Sequence, residues 1–486
     1  MTDHANPADM RSALRAAAIA TAARLAPGHG VPLARHLALL SETEPPPAPR
    51  VWTDADAVVL SAYFAARARR DALADGAELL DRYFDNVRLA RPATMSSGAR
   101  SQLYASVGEY SNAIGWPQMG ARYGTEALLF ADTAGLRYRA LSVAALGHAL
   151  NGEYPSAEAE LRDARDLFVA NAWPVTETAY VELLARALVA SARLDVDALL
   201  ETARRMSEAQ PDDPYASYSS RAIEVMAMMF RGDHGVTRAA SRQLLTGGDH
   251  HSSHRMIRYF VVGALSEVMV AQGDSEEALA VLSPYESPEG HGICFAMQRS
   301  AALLRLGRER ELLVATEACV ASETDHCLRS LTPLLVRRAL ALNRIGHPRR
   351  ARDAMAAALL LIARTGLSAT PFLMLPLGET RDLVDAATAD HPELAPTLTA
   401  FQSAVARVAL PDSPHRAPAP AVRFTPTERT LLELLTTPLS LAEIAEERGV
   451  SRNTIKSQVR SICLKLGVRG RAEAIALLAE IDARER

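Results

Sequence analysis

The sequence predicts an all-α chain: an array of stacked helix pairs, then a small C-terminal helical domain. Three observations predict it. Apolar residues make up 49% of the 486 positions and aromatics only 5%, which favours Ala- and Leu-rich helices over a sandwich or barrel. Turn residues recur at intervals of 34–41 residues, each followed five positions later by a residue that is usually small. That spacing is the mark of stacked helix–turn–helix units. A Pro-rich stretch then separates the array from a last segment that gathers basic residues on one helix face.

Composition sets the outer limits. With 53 basic and 57 acidic residues the net charge is −4, so any nucleic-acid contact has to be local. Four cysteines, Cys294, Cys319, Cys327 and Cys463, are too scattered for a disulfide scaffold and fit a reducing cytoplasm, the expected location. The apolar run Ala16–Ala23 is too short, and too charged at its flanks, for a membrane span or a secretory signal.

Residues 1–99 read as a helical cap, with a helix over Asp56–Asn86 and the proline-rich run 45–49 as a loop. Residues 100–410 read as the repeat domain. Its turn positions are Gly115, Gly152, Arg193, Gly232, Gly273, Gly307 and Gly346. Their partners five residues on are Gly120, Ala157, Ala198, Thr237, Ala278, Leu312 and Ala351. The turn residue reverses the chain, and the small partner lets two helices approach closely. Residues 411–422 carry Pro411, Pro414, Pro418 and Pro420 without an apolar period and read as a linker, leaving 423–486 as a separate domain.

The turns around Gly152-Glu153-Tyr154 and Gly273-Asp274 resemble those of tetratricopeptide repeats over roughly residues 100–365. The resemblance implies an α-superhelix whose concave face binds a peptide, a protein or a small effector.

The C-terminal segment carries the chemistry. Thr425, Pro426 and Glu428 are spaced as N-cap, first helical residue and capping-box partner. Ser440 caps a short second helix that Gly449 ends, and Ser451 caps a third running to about Leu466. A short helix, a tight turn and a longer helix make a helix-turn-helix. On the third helix Ile455, Val459, Ile462 and Leu466 form an inward stripe, while Asn453, Lys456, Ser457 and Arg460 share the opposite arc. Between Ser451 and Arg471 stand six basic residues, Arg452, Lys456, Arg460, Lys465, Arg469 and Arg471, and no acidic one. The chain's two lysines, Lys456 and Lys465, both fall here.

Thr425-Pro426-x-Glu428, Ile444-Ala445, Val450-Ser451-x-Asn453-Thr454-Ile455-Lys456-Ser457, Lys465-Leu466-Gly467-Val468 and Arg471-x-Glu473-Ala474 together resemble the LuxR/GerE-type helix-turn-helix. The resemblance covers about residues 423–480. It implies a four-helix DNA-binding domain whose third helix enters the major groove and whose fourth often dimerises. Lys456, Ser457 and Arg460 are then the expected base readers, and Thr454 and Lys465 the expected phosphate contacts. Arg452, Asn453 and Arg471 extend the basic, polar face. Gln458, where the family usually has His, is suited to adenine if it points outward.

No phosphate-binding Gly-x-x-x-x-Gly-Lys-Ser/Thr loop and no Gly-x-Ser-x-Gly motif occurs, so neither a P-loop ATPase nor another enzyme is expected. No cofactor or metal is expected either. His250, His251 and His254 read as a polar loop, and His291, Cys294, Cys319, His326 and Cys327 lack closed-site spacing and read as core or helix-end residues. The expected function is sequence-specific regulation of transcription. The partners would be a double-stranded operator, an effector in the repeats, a second copy of the chain and RNA polymerase. The alternative is a non-enzymatic scaffold whose helix-turn-helix binds protein.

Overall fold

The computed structural model describes residues 7–248, 253–322, 326–366, 370–373, 375–394, 396, 426–435, 437 and 439–466. The chain divides into two compact units, Met1–Pro414 and His415–Arg486. The expected linker, 411–422, lies outside the described residues.

The first unit opens with α1 (Pro7–Ala22), α2 (Ala34–Ser41), α3 (Asp54–Arg69) and the short α4 (Glu78–Asp81). A two-stranded hairpin follows, β1 (Phe84–Asp85) against β2 (Arg88–Leu89), with Phe84 opposite Leu89. The helix expected over Asp56–Asn86 is thus corrected: it stops at Arg69. Asp71 and Gly76 take left-handed φ values of 56° and 53°, which no α-helix accommodates. The Arg67 guanidinium pins this reversal by donating to the Ala72 carbonyl (2.9 Å) and the Tyr63 hydroxyl (2.7 Å). The proline run 45–49 is a loop, held by the Tyr83 hydroxyl on Pro46 O (2.6 Å) and by Arg91 on Ala48 O (2.8 Å).

Helix pairs then succeed one another: α5 and α6 (Ser97–Ile114, Pro117–Leu129), α7 and α8 (Ala134–Asn151, Tyr154–Ala170), α9 and α10 (Tyr180–Ala192, Val196–Ala209). Next come α11 and α12 (Pro214–Arg231, His234–Thr246), α13 and α14 (Arg255–Ala271, Ser275–Leu282), and α15 and α16 (Phe295–Arg305, Glu309–Ala315). The short α17 (Glu317–Ala321) precedes α18 and α19 (Leu328–Arg344, Pro348–Thr365) and α20 (Leu377–Asp390). The unit is a tetratricopeptide-like stack of helix pairs. Among the described residues no helix is long and apolar enough to cross a membrane.

Each pair closes in one way. A residue in the left-handed conformation ends the first helix, and the next N–H bonds to the carbonyl five positions back. Trp116 to Ser111 (2.9 Å), Glu153 to His148 (2.8 Å), Asp233 to Met228 (3.1 Å) and Asp274 to Met269 (2.9 Å) are four of these bonds. Arg308 to Leu303 and His347 to Leu342, both 2.9 Å, repeat them. Ala157, Thr237, Ala278, Leu312 and Ala351, five residues beyond their turns, are fully buried.

One position needs correcting. Arg193 stays helical at φ −87°, and Leu194 takes the left-handed conformation at φ 55°. The closing bond runs from Asp195 N to Ala190 O (2.9 Å). The buried partner accordingly shifts to Leu199, 1% exposed, while Ala198 is half-buried. Without a glycine, sequence spacing had nothing to fix the register.

A polar contact joins the cap helices to the first pairs. Glu109 of α5 is buried between Arg69 of α3 (2.7 Å) and Arg139 of α7 (3.2 Å). Burial would push its carboxyl up, but the two guanidiniums outweigh it and hold it below the usual carboxylate range. Stability from this carboxylate is present above the ordinary glutamate pKa and is lost as pH falls through the lower folded value. Glu109→Gln, which strands Arg139 without a counter-charge, is expected to cost about 3–5 kcal/mol in urea unfolding at neutral pH.

The turn glycines separate two effects. A Cβ at Gly273 meets nothing within 4 Å, whereas one at Gly152 would lie 2.7 Å from the Arg329 backbone nitrogen. Gly273→Ala is therefore expected to cost about 1–2 kcal/mol, the left-handed strain alone. Gly152→Ala is expected to cost clearly more, and equal losses in chemical unfolding would refute this reading.

Candidate nucleic-acid interface

In the second unit, Pro426–Leu435 forms the first helix. Ser440 caps the second, Leu441–Glu447, with a reciprocal box: Ser440 N donates to Glu443 Oε2 (2.8 Å) and Glu443 N to Ser440 Oγ (3.3 Å). Gly449 then turns left-handed at φ 63°, and Val450 N reaches back to Ala445 O (3.0 Å). Four residues, 448–451, separate this helix from the third, Arg452–Leu466. Ser451 Oγ caps the third helix, accepting from Thr454 N at 3.1 Å.

The core of this unit is small and apolar. Leu431, Leu432 and Leu435 of the first helix and Ile444 and Ala445 of the second close on Ile455, Val459 and Ile462 of the third. Two polar ties lie beside it. Arg448 donates to Thr427 O (3.2 Å), and the Ser461 hydroxyl donates to Glu428 Oε1 (3.2 Å). Glu428 is 8% exposed and so links first and third helices, a role that sequence spacing did not indicate. The expected cap, Thr425, lies outside the described residues.

With Ile455, Val459 and Ile462 facing in, the opposite arc is free. Arg452, Asn453, Thr454, Lys456, Ser457 and Arg460 are all exposed. The Thr454 hydroxyl sits 2.8 Å from Ser451 Oγ and so belongs to the cap as well as to the surface. Gln458 differs: it is half-buried, and its Oε1 is buried with no hydrogen-bond partner, so it sits at the edge of this face. Lys465 falls in the last turn of the same helix, and Arg471 lies outside the described residues. A rod about 10–12 Å across, with cations along one side, matches a major groove about 12 Å wide.

Elsewhere, His250 and His251 lie outside the described residues. His254, expected in a polar loop, is instead half-buried, its ring bonded to the Tyr180 hydroxyl (2.7 Å) and Arg69 O (3.1 Å). Cys294, Cys319 and His326 are buried, Cys294 as the N-cap of α15, and with His291 they converge in a way their spacing does not show: the four ligand atoms lie within 4.8 Å of one another. Cys327, their sequence neighbour, instead donates to Leu150 O at 3.0 Å.

Ile455→Ala, at a fully buried position, is expected to cost about 2–5 kcal/mol. Hydrogen exchange of the Arg452–Leu466 amides in the full chain would speed up accordingly, whereas Lys456→Ala should leave it unchanged.

The family described as bacterial regulatory proteins, luxR family, matches residues 422–478. No curated protein matches the chain. Among solved structures, the crystal structure of Rap protein complexed with competence and sporulation factor is similar, with TM-score 0.48 and 14% identity over 74% of this chain and 99% of that one.

Proposed function

We propose, from the LuxR-family helix-turn-helix at residues 422–478, that this chain is a sequence-specific DNA-binding regulator of transcription. The observation that carries the reading is the exposed arc of Arg452, Asn453, Lys456, Ser457 and Arg460, opposite a sealed apolar stripe. Phosphate neutralisation by the cations supplies affinity, and side chains at the base edges supply sequence discrimination. Lys456, Ser457 and Arg460 read bases; Thr454 and Lys465 hold phosphates; Arg452 and Asn453 support the same face, and Arg471 is a further DNA contact. One such module gives limited affinity, so two copies on half-sites about 34–36 Å apart would act together. RNA polymerase is the partner through which a bound regulator would act.

The helix pairs are the sensing part in this reading. A cavity of about 580 Å³ in the first unit, lined by Met229, Phe230, Tyr259, Phe260, Arg329 and Arg337, supports it. That volume lies in the range of small-ligand sites. Apolar walls beside the Arg329 guanidinium and the Arg337–Glu267 pair suit an amphipathic effector with a polar end. Arg337 is bridged to Glu267 (2.9 Å) and Arg329 lies over the Phe260 ring (4.9 Å), so both are held in place before any ligand arrives.

The test is binding of the full chain to a site selected from random duplexes, followed across a salt series. Lys456→Ala and Arg460→Ala are each expected to weaken binding by about 1–3 kcal/mol and relax preference at one base position. Undiminished affinity in both variants, or a salt slope near zero, would favour the protein-scaffold reading. For the sensor, native mass spectrometry is expected to find a small molecule on the chain that Met229→Trp, filling the cavity, excludes.

A further inference from the structure

We propose that His291, Cys294, Cys319 and His326 form a structural zinc site within the helix-pair unit. The residues come from two connections far apart in sequence. His291 lies in the connection between α14 and α15, and Cys294 is the N-cap of α15. Cys319 lies on α17, and His326 comes just before α18. Stacking of α15 against α18 brings the four together, with every pair of ligand atoms within 4.8 Å.

The distances suit a metal. The two sulfurs stand 3.7 Å apart. Two thiolates, each about 2.3 Å from a tetrahedral zinc, stand about 3.8 Å apart. A disulfide would need about 2.05 Å, and both thiols are free. Two sulfurs and two imidazoles at tetrahedral spacing are a donor set that zinc takes readily.

The imidazoles are set up as ligands. His326 is fully buried, and its Nδ1 lies 2.9 Å from the Cys327 carbonyl. With that nitrogen donating its proton, Nε2 carries the lone pair, and it is buried with no hydrogen-bond partner. His291 Nδ1 is buried and unpartnered in the same way, on a ring 4.3 Å from that of His326. Buried polar atoms without partners need an explanation, and a shared cation satisfies both. Around the cluster the outer contacts are those that orient ligands: Met297 N–H donates to Cys294 Sγ (3.4 Å), and the Cys327 carbonyl fixes the His326 ring. Zn²⁺ with two thiolates and two neutral imidazoles has no net charge, which a buried setting tolerates.

Four protein donors leave no open position, so the site is structural and not catalytic. Its place in the fold agrees. Regular pairing breaks down here: residues 283–294 run without a helix between α14 and α15, and α17 spans only five residues. His291 itself holds a left-handed φ of 50°. A metal would tie these two irregular connections to each other and to the start of α18, replacing the order that a regular helix pair supplies elsewhere.

The test uses the full chain, purified under reducing conditions. Elemental analysis is expected to find about one zinc per chain. After removal of zinc by a chelator, Co²⁺ should give the intense visible bands of a tetrahedral ion and a near-ultraviolet thiolate charge-transfer band. Cys294→Ser and Cys319→Ser should lose both signals, and Cys327→Ser should keep them. The wild-type cobalt spectrum decides the matter even if a variant fails to fold. Absence of stoichiometric metal together with a pale, octahedral cobalt spectrum would overturn the proposal. So would a Cys294–Cys319 disulfide found as the resident state by non-reducing peptide mapping.

Discussion

The left-handed residue with its six-to-one hydrogen bond is the constraint on which both units depend. A helix that simply ends leaves its last carbonyls without donors. The bond from Glu153 to His148, and its counterparts in the other pairs, satisfies one of them and turns the chain back at a fixed angle. That angle sets the next helix against the last, and the residue five positions on is then buried. In the second unit the bond from Val450 to Ala445 performs the same task. There the angle presents Ser451 as a cap and rolls the third helix so that Ile455 faces inward and Lys456 outward.

What the sequence disclosed follows from this constraint. Where glycine takes the left-handed position, the turn is visible as a letter, and six of the seven positions were found that way. Leu194 is the exception, because a residue with a side chain can be forced into that conformation by surrounding packing, and nothing local announces it. The two-face pattern of the third helix was legible for a related reason: helical period alone sorts Ile455, Val459 and Ile462 from Asn453, Lys456 and Arg460.

Contacts across the sequence were not legible. The tie between Glu428 and Ser461, the buried Glu109 between two arginines, and the gathering of His291 and Cys294 with Cys319 and His326 all join residues on different elements. Spacing rules recognise ligand pairs only when both pairs lie on familiar local loops. Here the two halves are brought together by the stacking of helices, which spacing does not encode. The adjacent His326-Cys327 was misleading, since the thiol of Cys327 belongs to a different contact, on Leu150.

Arginine is abundant throughout the chain, so basic residues alone do not mark a nucleic-acid surface. What the cations face does. In the helix-pair unit many guanidiniums meet carboxylates on the same or neighbouring pairs: Arg238 bridges to Asp274 and Glu277, Arg344 to Glu309 and Glu379, Arg352 to Asp390. Such exposed pairs add little stability, about 0–1 kcal/mol each, but they neutralise the surface. On the third helix of the C-terminal unit, Arg452, Lys456 and Arg460 are exposed and form no ion pair among the described residues. The sequence supplies no acid between Ser451 and Arg471 to neutralise them. A cluster of like charges held on one rigid face is unfavourable until something anionic lies against it, and the regular phosphate array of the proposed duplex would relieve it.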